Sequence, residues 1–183
     1  QIEGLKYVFD KGYFVFILGH IGSFPFLESK NTIVKLIPET LKLLTENSRG
    51  LPVLIKPHSI TDMSVLNEIL QNNNFPNIHI TYLHPAALSI NAKLVVSNYF
   101  SLTQADAHFF GAKTVEYTHY SNFALEKTSG ESMNPYYIDH FISNNPKKFK
   151  EVIDSTFNNI GKNRVRKLYE DTAPSSEVRK YLV

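Results

Sequence analysis

Three short groups of residues carry side chains able to hold an anion. Lys56-Pro57-His58 places two potential cations in consecutive turns of chain, with a proline that stiffens the segment between them. Ser97, Ser101 and Thr103 supply hydroxyls at the start of a second segment, KLVVSNYFSLTQADAHFFG, which runs from 93 to 111. Gly22 and Ser23 close a glycine-containing turn, GHIGS, where backbone can approach a ligand closely. Ser97 and Ser101 would each also suit a helix cap or a turn. A basic and a hydroxylated strand exit on one edge together favour a phosphate-bearing ligand.

The elements that must position these groups are legible as alternating strands and helices. Residues 13–18, YFVFIL, form an aromatic and β-branched strand. Residues 52–56 form an apolar strand that exits into His58, although strand alternation leaves open an orientation of Lys56 away from that edge. Further strands are expected at 78–82, 94–97 and 114–117, with a last short one at 136–138. Helical spacing occupies 31–47, where Pro38 implies a kink or two abutting helices. Ser59 fits the N-cap of the next helix with Asp62 at its third position. Ser101 fits the N-cap of another, with Gln104 able to complete a capping box and Gly111 to end it. His84-Pro85 opens a connection with one helical turn, and His84 reads as structural. Residues 118–135 lose hydrophobic periodicity and read as a long loop, followed by helices near 149–160, 164–170 and 175–182. The alternation predicts an α/β domain, a doubly wound parallel sheet with helices on both faces. In such a sheet the strand ends and the following helix N-termini share an edge, which would gather the three groups into one phosphate site.

Composition narrows the function. With 183 residues, 43% of them apolar and 20% charged, the chain has the makings of one domain with a substantial core. A net charge of +2 gives no basic field for nucleic acid. There is no cysteine, so disulfides and thiolate metal sites are excluded and the cytoplasm is the simpler compartment. The seven histidines show no chelating spacing, so no metal site is expected. No GxSxG elbow or P-loop is present, and no apolar run approaches a membrane span.

The order of elements, with Lys56-Pro57-His58, the serine-bearing turn from Ser97 to Ser101, Ala105-Asp106-Ala107 and Gly111-Ala112-Lys113-Thr114-Val115-Glu116, resembles the C-terminal, donor-binding half of GT-B glycosyltransferases. It is most similar to the bacterial capsule and surface-polysaccharide group, with its sialyltransferase-like and Kdo-transferase-like enzymes. The family usually reads KPHP where this chain has Ser59, and its paired serines are spread here over Ser97 and Ser101.

The resemblance implies a Rossmann-like nucleotide-sugar-binding domain over 1–183, with 1–12 as a linker or packed helix and 161–183 as C-terminal helices. It implies a CMP- or UDP-linked sugar as donor substrate, with no further cofactor. The glycan acceptor would be met through a second, N-terminal domain that also supplies the catalytic base. The start at Gln1 and the single Rossmann-like half suggest a domain cut from a longer chain. His58 would stabilise the charge that develops on the leaving nucleotide. Lys56, Ser97, Ser101, Thr103, Gly22 and Ser23 would bind its phosphate. Tyr82, Leu83 and Leu88 would lie beside the base, with main-chain amides and apolar surface, and Glu116 would accept hydrogen bonds from the ribose. The compartment implied is the cytoplasm, with peripheral association at the inner face of the membrane as its variant. A UDP-N-acetylglucosamine 2-epimerase type of enzyme and a non-catalytic α/β binding module are the alternatives.

Overall fold

The computed structural model describes residues 11–21 and 30–158, with the side chains of 30–32 excepted. Gly22 and Ser23, residues 1–10 and the helices expected beyond 158 lie outside the described residues.

Six strands form one parallel sheet: β1 (Tyr13–Leu18), β2 (Val53–Pro57), β3 (Ile78–Ile80), β4 (Ala92–Ser97), β5 (Lys113–Thr118) and β6 (His140–Ser143). Their order is β3-β2-β1-β4-β5-β6. The helices are α1 (Lys30–Asn47), α2 (Met63–Asn72), α3 (Pro85–Ser89), α4 (Gln104–Phe109), α5 (Asn122–Lys127) and α6 (Pro146–Asn158), with a 3-10 turn at Pro135–Tyr137. This is a doubly wound, Rossmann-like α/β fold, as the alternation of apolar runs and helical spacing predicts.

Strand alternation divides the core in two. Phe14, Phe16, Val53, Ile55, Leu94 and Val96 face a large cluster completed by Leu36 and Leu41 of α1, Leu66 of α2 and Phe149 and Ile153 of α6. Tyr13, Val15, Leu54 and Val95 face a smaller cluster with Leu88 of α3 and Ala107 of α4. Both faces of the central strands are therefore covered, which is why their sequences read as continuous apolar runs.

Several local expectations are corrected. The helix α1 is a single helix through Pro38, not two abutting ones. The proline removes the hydrogen bond to the carbonyl of Val34, a residue on the exposed side where water can replace it. Asp62, not Ser59, caps α2, its carboxylate accepting from the N–H groups of Ser64 and Val65. Those hydrogen bonds, the Ser64 hydroxyl foremost, hold its carboxyl below the usual range. Residues 118–135 are not all loop, since Ser121 caps α5 through the N–H of Ala124. A six-residue helix that buries only Ala124 leaves no periodic signal to read. The last strand lies at His140–Ser143, and the place expected for it holds the 3-10 turn.

Candidate functional site

The sheet order reverses between β1 and β4, and a cavity of about 360 Å³ opens at the carboxyl ends of the strands at that point. Such a switch point is where open α/β sheets bind ligands, because the loops of neighbouring strands diverge to opposite faces and leave a crevice. The cavity is lined by Ile17 to His20 from β1 and its exit, Lys56, Pro57, His58 and Ile60 from β2 and its exit, and Pro85 of α3. Its other wall is Ser97 and Tyr99 to Thr103 after β4. Lys56, His58, Ser97, Ser101 and Thr103 are thus brought together around one space.

The charge of that space is one-sided. Lys56, His20 and His58 are among the lining residues, and among the described residues no carboxylate is. Lys56 does not turn away, as alternation allowed. It lines the cavity half-buried, and its Nζ donates to the carbonyl of Pro57 at 2.9 Å. Most of the remaining lining is apolar, so an anion held there would meet a less screened positive field than at an open surface.

The main chain at His58 is pinned on two sides. Its N–H donates to the carbonyl of Leu18 at 2.9 Å and to Thr61 Oγ1 at 2.9 Å. Thr61 in turn donates to the carbonyl of Gly19 at 2.8 Å, which ties the exit of β2 to the exit of β1. The Ile60 N–H points at His58 Nδ1 at 3.3 Å, which makes Nδ1 an acceptor. In the neutral ring the proton then sits on Nε2, which has no protein partner among the described residues and is free to donate.

The third wall departs from the expected cap. Ser101 does not cap α4 with its side chain, since the N-cap is Thr103 and makes no side-chain cap bond. Instead the Ser101 and Thr103 hydroxyls hydrogen-bond each other at 2.6 Å, and the Ser101 carbonyl accepts from the Gln104 N–H. Gln104 does not reach back to form a capping box: it is buried, and its Nε2 donates to Ser97 Oγ at 2.6 Å. The N–H groups of Leu102 and Thr103, both on the cavity wall, have no protein acceptor among the described residues.

Other candidates lie elsewhere. Glu116 is completely buried outside the cavity lining, and Tyr120 and Ser132 donate to its two carboxylate oxygens. Burial raises its pKa above the usual carboxylate value, with the Ser132 and Tyr120 hydrogen bonds pulling the other way. Glu116 is wholly buried, so its carboxylate presents no exposed surface to a ribose hydroxyl. Leu88 is buried in the smaller core, and its carbonyl accepts from the Tyr13 hydroxyl at 2.8 Å, so its side chain presents no open surface to a base. Tyr82 and Leu83 are exposed after β3 but do not line the cavity, and the Leu83 N–H already donates to Thr81 Oγ1. His84 caps α3 by accepting the Ala86 N–H, which agrees with its structural reading. Among the described residues no three His, Asp or Glu side chains converge on a metal position. No helix among them is long and apolar enough to cross a membrane.

Sequence reasoning placed Gly19 in a ligand-facing turn but missed Thr61, Tyr99 and Phe100. Tyr99 lies partly buried against Gly19 and donates to the carbonyl of His20 at 3.3 Å. Burial pushes its phenol up to about 12, so it remains a donor at neutral pH. The aromatic pair beside Ser97 was a signal available in the sequence, but its placement depends on a glycine eighty positions upstream.

No protein-family model matches the chain, and no curated protein matches it in sequence. Among solved structures, the UDP-GlcNAc 2-epimerase of Methanocaldococcus jannaschii, in complex with UDP-GlcNAc and UDP, is similar over 100% of this chain and 48% of its own, with a TM-score of 0.52 and 13% identity. The chain therefore spans about half the length of that protein. The catalytic domain of the cholesterol-α-glucosyltransferase from Helicobacter pylori matches 81% of this chain and 88% of its own, with a TM-score of 0.48 and 13% identity. A Medicago truncatula structure complexed with UDP-glucose matches 97% of this chain and 37% of its own, with a TM-score of 0.38 and 13% identity. At such identity the likeness to the epimerase establishes a shared α/β fold, in which this chain corresponds to about half of the longer molecule.

Proposed function

We propose that the chain is the donor-binding half of a nucleotide-sugar-dependent glycosyltransferase, with the cavity between the exits of β1, β2 and β4 as its phosphate site. One observation carries the reading. Lys56, His58, Ser97, Ser101 and Thr103, drawn from segments about forty residues apart, line a single cavity at the switch point, and among the described residues no carboxylate lines it with them. Hydroxyls, a lysine and a histidine with a free Nε2 are what a phosphate needs, and the apolar remainder offers surface to the attached groups. In the mechanism this supports, the substrate phosphate sits against His58 and the serine-bearing turn. His58 donates to the oxygen that gains charge as the glycosidic bond to the nucleotide breaks. The acceptor hydroxyl and its base come from a second domain across the cleft, so the described domain binds donor without transferring it. A CMP- or UDP-linked donor and a role in surface-polysaccharide synthesis follow from the sequence resemblance.

The epimerase reading shares the fold, which the likeness to the Methanocaldococcus jannaschii enzyme at 13% identity reflects without favouring isomerisation over transfer. Calorimetric titration of CMP, CDP, UDP and GDP into the 183-residue chain tests the binding step common to both. Incubation of the full-length protein with the preferred nucleotide sugar, with and without glycan acceptors, then separates transfer from isomerisation of the free donor. A folded chain that binds none of the four nucleotides would leave a non-catalytic α/β module in place of either enzyme.

A further inference from the structure

Gln104 opens α4, is wholly buried and is not part of the cavity lining, yet its side-chain amide reaches a residue that is. Its Nε2 lies 2.9 Å from the carbonyl oxygen of Val115 and 2.6 Å from Ser97 Oγ. A carbonyl oxygen can only accept, so the atom facing Val115 must be the NH2 group, and the amide cannot be flipped without setting two acceptors against each other. The second amide proton is thereby directed at Ser97 Oγ. A hydroxyl that accepts from a fixed amide keeps its own proton for another partner. Ser97 makes no other side-chain hydrogen bond among the described residues, is 2% exposed and lines the cavity, so that proton is available to whatever occupies the cavity.

The far end of the same amide supports the assignment. Gln104 Oε1 is buried with no hydrogen-bond partner among the described residues. Buried acceptors are rarely left unmet, and an apolar side chain of similar volume would fill this position without one. The glutamine is therefore a poor choice for packing alone and a good one for presenting two donors in a fixed plane.

We infer that Gln104 is a positioning residue that holds the Ser97 hydroxyl as a hydrogen-bond donor to an anionic phosphoryl oxygen in the cavity. The inference rests on the nucleotide-binding reading and adds to it the means by which one hydroxyl is polarised and aimed. Through Val115 the same amide also fixes α4 to β5, so the donor direction is set by the sheet and not by the mobile turn of a serine rotor.

The test is a double-mutant cycle read by titration with inorganic phosphate and with the nucleotide that the chain prefers, alongside thermal melts. Ser97→Ala is expected to weaken binding about tenfold, the effect of one hydrogen bond to a charged group. Gln104→Met is expected to weaken it several-fold; it removes the orphaned Oε1 but also the bond to the Val115 carbonyl, so the melts serve to show that the variant is folded. In the Ser97→Ala background Gln104→Met should add nothing. Additive losses, or wild-type affinity in Gln104→Met, would overturn the inference. Should Gln104→Met not fold, the wild-type chain still decides: phosphate should shift the Gln104 amide proton that faces Ser97 with the same saturation curve as binding. An unmoved amide proton in a chain that binds phosphate overturns the inference alone. A wild-type chain that binds neither phosphate nor nucleotide overturns the proposed function and this inference with it.

Discussion

A Cβ placed on Gly19 would lie 1.7 Å from the Tyr99 hydroxyl oxygen and 2.5 Å from its Cζ, so the two residues occupy one volume that only glycine leaves free. The ring that forms part of the cavity wall is seated against bare backbone. Gly19→Ala should therefore displace Tyr99, lower stability by about 1–3 kcal/mol as overpacking does, and disturb ligand affinity. Tyr99→Leu in the same chain removes the clashing hydroxyl and should recover part of the stability. Thermal melts of the two single variants and the double variant check this, and a Gly19→Ala protein as stable as wild type would contradict it.

His58→Ala should weaken nucleotide binding roughly ten- to a hundredfold, the equivalent of about 1.5–3 kcal/mol for a hydrogen bond to a charged group. Stability should change little, since the side chain is exposed and the local fold is held by its main-chain N–H. Calorimetry paired with melts separates the two effects. Equal affinity in both proteins would remove His58 from the phosphate site.

Lys56→Met should weaken phosphate and nucleotide binding and flatten its dependence on salt, because the lysine is the permanent cation on the cavity wall. Titration at two ionic strengths measures it. An unchanged salt slope would show that the ammonium serves only its bond to Pro57.

Glu116 predicts a pH dependence of stability. Its pKa in the folded chain is raised by burial above the ordinary glutamate value of 4.5, so across the window just above 4.5 the native state holds a proton that the unfolded chain releases. Stability should then fall as pH rises through that window. Glu116→Gln cannot titrate and should melt with a flatter profile over the same range. Parallel profiles for the two proteins would locate the pH dependence elsewhere.

Thr61→Val keeps the shape of the side chain but cuts the link from Gly19 to His58. A cost of about 1–2 kcal/mol is expected from the unmet Gly19 carbonyl, with weaker phosphate binding as the β2 exit loosens. Retained affinity in a destabilised Thr61→Val would mean that the staple serves stability only.

The sheet was legible because β1, β2 and β4 are short apolar runs bounded by polar turns, and the same runs placed Lys56, His58 and Ser97 at one edge. What escaped depends on contacts distant in sequence. Thr61 looks like any residue before a helix until its hydroxyl is seen to reach Gly19, and Gly19 looks like a simple turn until Tyr99 fills its empty side. Glu116 is expected from the resemblance to meet a ribose, and it alternates with Val115 and Tyr117, which face the large core. The opposite face of β5 is covered as well, and there the carboxylate is met by Ser132 and Tyr120, from a stretch without hydrophobic rhythm. Ser101 has the spacing of a capping box, but the Gln104 side chain donates through Nε2 to Ser97 Oγ and the Val115 carbonyl and does not turn back to accept an N–H at the helix start.

The strand β1 lies inside the sheet with β2 on one side and β4 on the other, and those three strands deliver the cavity walls. Amides in such a strand open to solvent only when the sheet comes apart, so hydrogen exchange beneath the cavity should be among the slowest in the chain, while residues 82–83 after β3 exchange fast. A ligand arriving there meets groups already held by the most persistent part of the molecule. Lys56 and Ser97 sit on the strands themselves, so exchange rates in β1 should hardly change when the cavity fills.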